Sequence, residues 1–330
     1  MIIEHIKYLV CPKCFSKIEI QGNNVEGPRI LEGKLICIEC KKEYSIIKGI
    51  PRFVDTDNYS ENFGFEWNAH NKTQYDHYSQ TQISKIRFEK ETKWNLELQN
   101  EIIIEAGCGS GRFTEYAVNT KAMVISFDYS TAVEANYQSN SHYDNLLIVQ
   151  ASIFEMPFKD CIADKLFCFG VLQHTPDPET AFTLLAKKIK LNGNIVADIY
   201  RFELIDIFKT KYWVRPFIRK NNYARLYNHT CSYIDFMWPF ATLIIRIFPN
   251  KIGRKINWQL LIPDYSEYEL DSETLKEWAY LDIFDMLSPK YDKPKSLKTF
   301  RSWFLKYGFP NCEVHYGFNG IEGRGIKTAI

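Results

Sequence analysis

From residue 101 the apolar positions of the chain settle into a new rhythm. "EIIIEA" (101–106) is an unbroken β-branched run, the kind that lies buried on both faces of a parallel sheet. A glycine-rich turn and a helix to about Asn119 follow. Then come "AMVISFD", a helix from Ser130, "NLLIVQ", "DKLFCFG", a helix from about Pro178 to Lys190, and "GNIVADIY". Strand and helix in this alternation predict a doubly wound, mostly parallel α/β sheet over residues 101–200, with its ligand at the carboxyl ends of the strands. Near the end, "SLKTFRSWFLKYGF" has the spacing of an amphipathic helix stopped by Gly308, and "CEVHYGF" reads as a strand, so residues 296–330 complete the same layer.

Two stretches break this pattern. Residues 58–100 are polar and aromatic, densest in "FGFEWNAHNKTQYD", which fits helices packed on the core or a lid over a cleft. Residues 201–295 form an insertion after the fifth strand. Its "FKTKYWVRPFIRK" interleaves basic and aromatic residues, which fits either a solvated helix face or a surface for a phosphate-bearing sugar, a lipid head group or RNA. "CSYIDFMWPFATLIIRIFPN" is strongly apolar, but Asp235, Pro239 and Arg246 interrupt it too often for a membrane span. We expect a buried helix there, with an interfacial helix in peripheral contact with a membrane as the alternative. "DIFDMLSPKYDKPKS", with Asp282, Asp285 and Asp292, is expected to be a loop lining a pocket.

Composition narrows the field. The 330 residues are 45% hydrophobic, enough for a sizeable core, and 41 Lys and Arg against 40 Asp and Glu give a net charge of +1. No overall field draws the chain to nucleic acid. Without a secretory-type start or an apolar span, the expectation is a cytoplasmic protein. Nine cysteines would suit a secreted disulfide framework, but four fall in two C-x-x-C pairs, Cys11/Cys14 and Cys37/Cys40. That spacing brings four thiolates to one tetrahedral zinc ion, and turn residues between short strands give residues 1–57 the profile of a zinc ribbon with a structural, closed site. A redox pair and four unrelated thiols are the other readings. Cys108, Cys161, Cys168, Cys231 and Cys312 are scattered and expected to be mostly buried in a reducing compartment.

The turn "EAGCGSGRF" (105–113) carries the chemistry. A dinucleotide motif wants G-x-G-x-x-G, but Arg112 stands where the third glycine belongs, so a pyrophosphate is disfavoured. Glu105 ends one strand and Asp128 the next. A carboxylate at Asp128 can accept both ribose hydroxyls of an adenosine, while Gly107 and Gly109 let backbone approach the ligand.

"EAGCGSGRF" with Asp128, "GVLQHTPDP" and "LAKKIKLNGNI" resembles the class I S-adenosylmethionine-dependent methyltransferases over residues 101–200. "FGFEWN", "FDMLSPKYD" and "GFNGIEGRGIK" are similar to a bacterial subfamily that joins a zinc ribbon to this core and is often linked to polysaccharide and sugar tailoring. The resemblance implies a Rossmann-like sheet of seven strands. It implies S-adenosylmethionine as cofactor, with Glu105, Gly107, Gly109 and Gly111 around its methionine end, Asp128 on the ribose and Tyr129 on the adenine. Ser152 stands where the family has Asp, and the Ile153 amide adjoins it; Gly170 also belongs to the cofactor set. The sulfonium activates the methyl group, so the protein aligns an acceptor, excludes water and, for a hydroxyl or protonated amine, removes a proton. His174 is the candidate base, or a residue that caps its loop or positions substrate. Trp67, Tyr75, Arg112, Tyr200, Asp285 and Tyr291 are acceptor-pocket candidates. The expected acceptor is a hydroxyl or amine of a sugar-derived metabolite or glycan intermediate. An RNA acceptor docked by the ribbon is the alternative, and a cofactor-sensing binding module without catalysis the third reading.

Overall fold

The computed structural model describes residues 1–330 apart from 55–58, 203–208, 219–221, 250, 266, 267, 269, 329 and 330, with backbone alone for 22–26. The boundary drawn at 57/58 and parts of "FKTKYWVRPFIRK" therefore lie outside the described residues. The chain begins with an antiparallel meander of β1 (Ile18–Glu26), β2 (Arg29–Cys37), β3 (Glu43–Ile47) and β4 (Ile50–Arg52). Three helices, α1 (Glu61–Ala69), α2 (Asp76–Ser79) and α3 (Ile83–Thr92), lead into the alternating region. This runs β5 (Ile102–Ala106), α4 (Thr114–Asn119), β6 (Met123–Asp128), α5 (Val133–Asn140), β7 (Leu146–Gln150), β8 (Ala163–Cys168), α6 (Pro178–Lys188) and β9 (Ile189–Ile199). The insertion is helical: α7 (Thr210–Ile218), α8 (Tyr223–Ile247), α9 (Lys251–Gln259) and α10 (Ser272–Leu287). The chain closes with α11 (Leu297–Lys306), β10 (Glu313–Gly317) and β11 (Gly320–Ile326).

The order β1-β2-β3-β4-β7-β6-β5-β8-β9-β11-β10 corrects the expectation of seven mostly parallel strands. The expected seven, β5 to β11, are present, but β4 pairs in parallel with β7 at Arg52 and Gln150, so the ribbon continues the same sheet to eleven strands. Arg52 fastens this junction through Gln150 Oε1 at 2.9 Å and Glu134 Oε1 at 2.9 Å. Among the described strands, parallel pairing is found in the βα units and at this junction, with one isolated parallel bridge between Arg201 and Lys295. The ribbon and the end of the chain turn back through short connections, which can join only antiparallel neighbours.

β5 sits centrally because its run is buried on both faces. One face packs under α6 and α11 through Phe182, Phe300, Trp303 and Phe304, the other under α3, α4 and α5 through Phe88, Ala117, Val118 and Val133. α6 starts where Asp177 accepts from Thr180 N and Pro178 opens the first turn. It stops two residues earlier than expected, because "IKLNGNI" already belongs to the eleven-residue β9.

Two further expectations fail in the insertion. Residues 282–287 are the last turns of α10, not a loop; Asp271 caps that helix by accepting from Glu273 N and Thr274 N. The apolar stretch 231–250 is expected to be buried, yet α8 buries only Leu226, Thr230, Ile234 and Ala241. α8 rests on α10 along one side, and Phe236, Phe240, Leu243 and Ile247 point to solvent from another. Of the five scattered cysteines only Cys108 and Cys168 are buried; Cys161 is exposed and Cys231 and Cys312 are half-buried.

Candidate active site

Strand order reverses between β5 and β8, and the turn after β5 opens there onto a cavity of about 760 Å3. The turn is laced to its neighbour: Gly107 N and Cys108 N both donate to Phe127 O, at 2.7 and 3.1 Å, and Gly109 N donates to Asp128 Oδ2 at 3.1 Å. Gly107 has φ +77°, and a Cβ there would lie 2.2 Å from Val171 Cγ2. Gly111, at φ +92°, is packed against Asn136 with the same result on the side away from the cavity. Both positions need glycine for conformation and for space.

Asp128 Oδ1 accepts from Ser130 N and Oγ, at 2.8 and 2.7 Å. With Gly109 N on Oδ2, the carboxylate is fixed in orientation where it lines the cavity. Burial raises its pKa against the pull of these donors. Gly107, Gly109, Tyr129, Ile153 and Gly170 line the same cavity, as do Trp67, Arg112, His174, Tyr200 and Asp285. Five candidates are not among its lining residues. Glu105 lies behind the turn, accepting from Ser126 Oγ at 2.7 Å and from Thr114 Oγ1. Gly111 packs on α5, and Tyr75 donates to Ser110 O at 2.8 Å from beneath the turn. Ser152 uses its hydroxyl to accept from Phe154 N. Tyr291 meets the cavity through its neighbours, its ring 5.5 Å from that of Tyr59 and its carbonyl oxygen 3.1 Å from His174 Nδ1.

The contact to Tyr291 O fixes the imidazole. A carbonyl only accepts, so Nδ1 carries the proton and the neutral ring is left with an accepting Nε2. The rings of Phe63 and Tyr200 flank it at 5.1 and 5.3 Å. Tyr200 donates to Asp285 Oδ2 at 3.1 Å.

Apart from Asp282, the sequence reading did not single out the further residues that complete the cavity wall. Tyr59, Phe63, Glu66 and Arg87 come from the segment before the core, Trp258 from α9, and Trp278 and Asp282 from α10. The segment 58–100 both packs on the core, through Phe88, and contributes to the cavity wall. Glu66 is fully buried and neither carboxyl oxygen has a hydrogen-bond partner among the described residues. Burial first, then the nearby Asp285 and Asp282, hold its pKa well above the usual carboxylate range. Asp282 is pushed up to about 8 by burial and by Asp285, against the opposing pull of Arg112. Arg112 stacks on Phe113 at 4.5 Å, and burial followed by the Arg87 charge lowers it to about 9. Arg87 is itself paired with Glu91 and Asp198, and Asp198 accepts from Gly170 N at 2.6 Å, tying α3 to the end of β9. Arg87 and Glu91 stand four positions apart on one helix, but the link to Asp198 spans 111 positions and leaves no short-range signal.

At the far end of the sheet, Sγ atoms of Cys11, Cys14, Cys37 and Cys40 all lie within 4.8 Å of one another. Cys11 and Cys40 are 3.6 Å apart and Cys14 and Cys37 3.4 Å, spacings that suit four thiolates on one tetrahedral ion. Tyr44 Oη stands 3.3 Å from the Cys11 sulfur, where its proton can be shared with a thiolate.

Residues 104–197 match the family described as "Methyltransferase domain". This stretch is similar to methyltransferase domains. Curated relatives align with it and its surroundings. "tRNA U34 carboxymethyltransferase" of Nautilia profundicola is 27% identical over 115 residues, 32% of this chain and 38% of that protein. "Probable S-adenosylmethionine-dependent methyltransferase" of Mycobacterium tuberculosis is 31% identical over 91 residues, 28% of this chain and 32% of that protein. The chain thus spans well under half the length of these relatives. A solved structure of an S-adenosyl-L-methionine-dependent methyltransferase assignment from Methanococcus maripaludis covers 84% of this chain and 97% of its own, at 14% identity and a TM-score of 0.45. Within the methyltransferase domain the matched segment holds the glycine turn, Asp128, Gly170 and His174; the lid, the insertion and the ribbon lie outside it.

Glu105 makes the domain's stability depend on pH. Burial is the largest influence on its carboxyl and raises it to about 7 from an ordinary value of 4.5, against the donors Thr114 and Ser126. A group raised on folding stabilises fully below its unfolded value, and that contribution is lost as pH rises through the folded value. Glu105→Gln should therefore flatten the fall in thermal midpoint across the interval between those two values; a slope identical to that of the parent protein would refute the assignment.

Proposed function

We propose that the protein transfers a methyl group from S-adenosylmethionine to a hydroxyl or amine of a sugar-derived metabolite or glycan intermediate. The observation that carries the cofactor assignment is Asp128: an oriented carboxylate at the carboxyl end of β6, beside a glycine turn that keeps side chains out of the way. Asp128 would accept the ribose hydroxyls, Tyr129 and Ile153 would flank the adenine, and Arg112 would face the methionine carboxylate. Glu105 and Gly111 would act from behind, by holding the turn. The bound cofactor supplies an activated methyl group on a sulfonium.

Phe63 and Trp67 would exclude water, and His174 Nε2 would take the acceptor's proton while Nδ1–H stays on Tyr291 O. The acceptor class follows from the carboxyls. Glu66, Asp282 and Asp285 line the cavity together with Trp258, Trp278 and Tyr200, so a ligand that donates several hydrogen bonds through hydroxyl or ammonium groups would find acceptors there. An RNA acceptor is the second reading, favoured by relatives named for tRNA, although three carboxyls suit a phosphate-bearing strand poorly. The four cysteines would hold a structural zinc ion: all positions are thiolates and no fourth-ligand opening is left for chemistry. With this role the protein would work in the cytoplasm.

Three measurements test these assignments. Asp128→Ala should abolish binding of S-adenosylhomocysteine in calorimetry, and unaltered affinity would overturn the ribose role. His174→Ala should lower kcat by about 10²–10⁴-fold while leaving that affinity intact; a near-normal kcat would leave His174 a positioning residue. The kcat can be read once an acceptor is found, by incubating the protein and methyl-labelled cofactor with cell extract and separating RNA, protein, glycolipid and small molecules. Label in RNA would reverse the order of the two readings. For the ribbon, Cys37→Ser should release zinc and unfold residues 1–57 locally; unchanged zinc content by mass spectrometry would remove the metal assignment.

A further inference from the structure

The apolar positions of α8 fall into two sets. Ile234 turns toward the interior and packs with Ala279 and Ile283 of α10, and Ala241 is buried where its carbonyl accepts from Asn257 of α9. Tyr233, Phe236, Phe240, Leu243 and Ile247 recur at intervals of three and four and form one stripe along the helix. All five are exposed, Phe236 by 68% and Ile247 by 58%. The stripe continues past the end of the helix in Phe248 and, on α9, Ile252, which is 63% exposed. Seven consecutive large apolar positions in solvent are far from the scattered singles of an ordinary surface.

Charge says what covers them. Residues 209–259 contain ten Lys and Arg against Asp235 alone, which leaves 31 basic against 39 acidic residues in the rest of the chain. Asp235 is paired with Lys276. Arg246, Lys251 and Lys255 are exposed beside the stripe. A second copy of the same surface would bring like charges together, and RNA would stack on Phe236 and Phe240 but gain nothing from Leu243, Ile247 and Ile252. A layer that offers negative head groups at the rim and hydrocarbon beneath them satisfies both sets at once. No helix among the described residues is long and apolar enough to cross a membrane, so the element lies on the layer.

We propose that the outer stripe of α8 and the α8–α9 turn seat the protein on the surface of an anionic phospholipid bilayer. α9, which begins in that surface, also reaches the cavity through Trp258 and Gln259. Docking would therefore set the cavity beside the head-group layer, whatever acceptor it takes; the proposal stands apart from the acceptor assignment above.

The test is sedimentation of the full chain with vesicles of phosphatidylcholine alone or of phosphatidylcholine and phosphatidylglycerol in equal parts. Binding is expected only to the second kind, weakening as salt is raised. Phe240→Asp should lower the partition coefficient by about tenfold or more, as should Leu243→Ser to a smaller degree, with the thermal midpoint unchanged because both side chains are already in water. No pelleting with anionic vesicles would overturn the proposal. So would pelleting that neither substitution weakens, retention on tRNA that Phe240→Asp abolishes, or a concentration-dependent dimer in solution that the same substitution dissolves.

Discussion

Everything at the site hangs on how the turn after β5 is tied to the end of β6. Two consecutive amides, of Gly107 and Cys108, share the Phe127 carbonyl, and the next glycine amide takes Asp128. That lacing sets the carboxylate, the glycine backbone and the mouth of the cavity relative to one another. It works only because both strands are locked side by side in a sheet buried on both faces, so neither end can drift. Glu105, behind the turn, is an acid in a dry place whose two hydroxyl donors compensate only part of its desolvation. The core accepts that cost to hold the ligand side open.

Much of this was legible in the chain. The strands β5, β6, β7, β8 and β9 were visible because parallel strands in a two-sided core write themselves as short apolar runs, and the turn and Asp128 because their positions follow from strand ends. The cysteine cluster was visible because its spacing is local. What escaped was whatever depends on distant pairing. The junction of Arg52 with Gln150 and Glu134 leaves no mark in either segment, so the ribbon read as a separate body. The helical end of α10 was hidden behind the prolines that follow it, and α8 was expected to be buried because hydropathy reports composition and not what stands opposite. Ser152 illustrates a further limit: its place beside a strand end was correct, while its hydroxyl was already engaged by Phe154 N.

The lid and the insertion answer a shared problem. Each places acids in a dry space that the methyltransferase-type domain alone does not enclose. Glu66 comes from α1, Asp282 and Asp285 from α10, and the contact of Asn62 with Ser288 at 3.0 Å joins the two helices. These cavity-lining acids thus come from segments outside the stretch matched to the domain family, and the matched core says little about them.

The continuity of the sheet bears on how the chain survives as a solute. β7 reads Leu-Leu-Ile-Val-Gln and is buried at every position, a segment that as an open border would recruit strands from other molecules. The meander moves the border outward to β1, whose pairing with β2 slips between Gln21 and Asn24, while the opposite border, β10, carries Glu313 in ion pairs with Lys93 and Arg324. An irregular strand at one end and a charged strand at the other are poor templates for addition. Cutting the chain back to its catalytic-looking centre would expose the adhesive strand these borders hide, so the ribbon guards against fibre-like association.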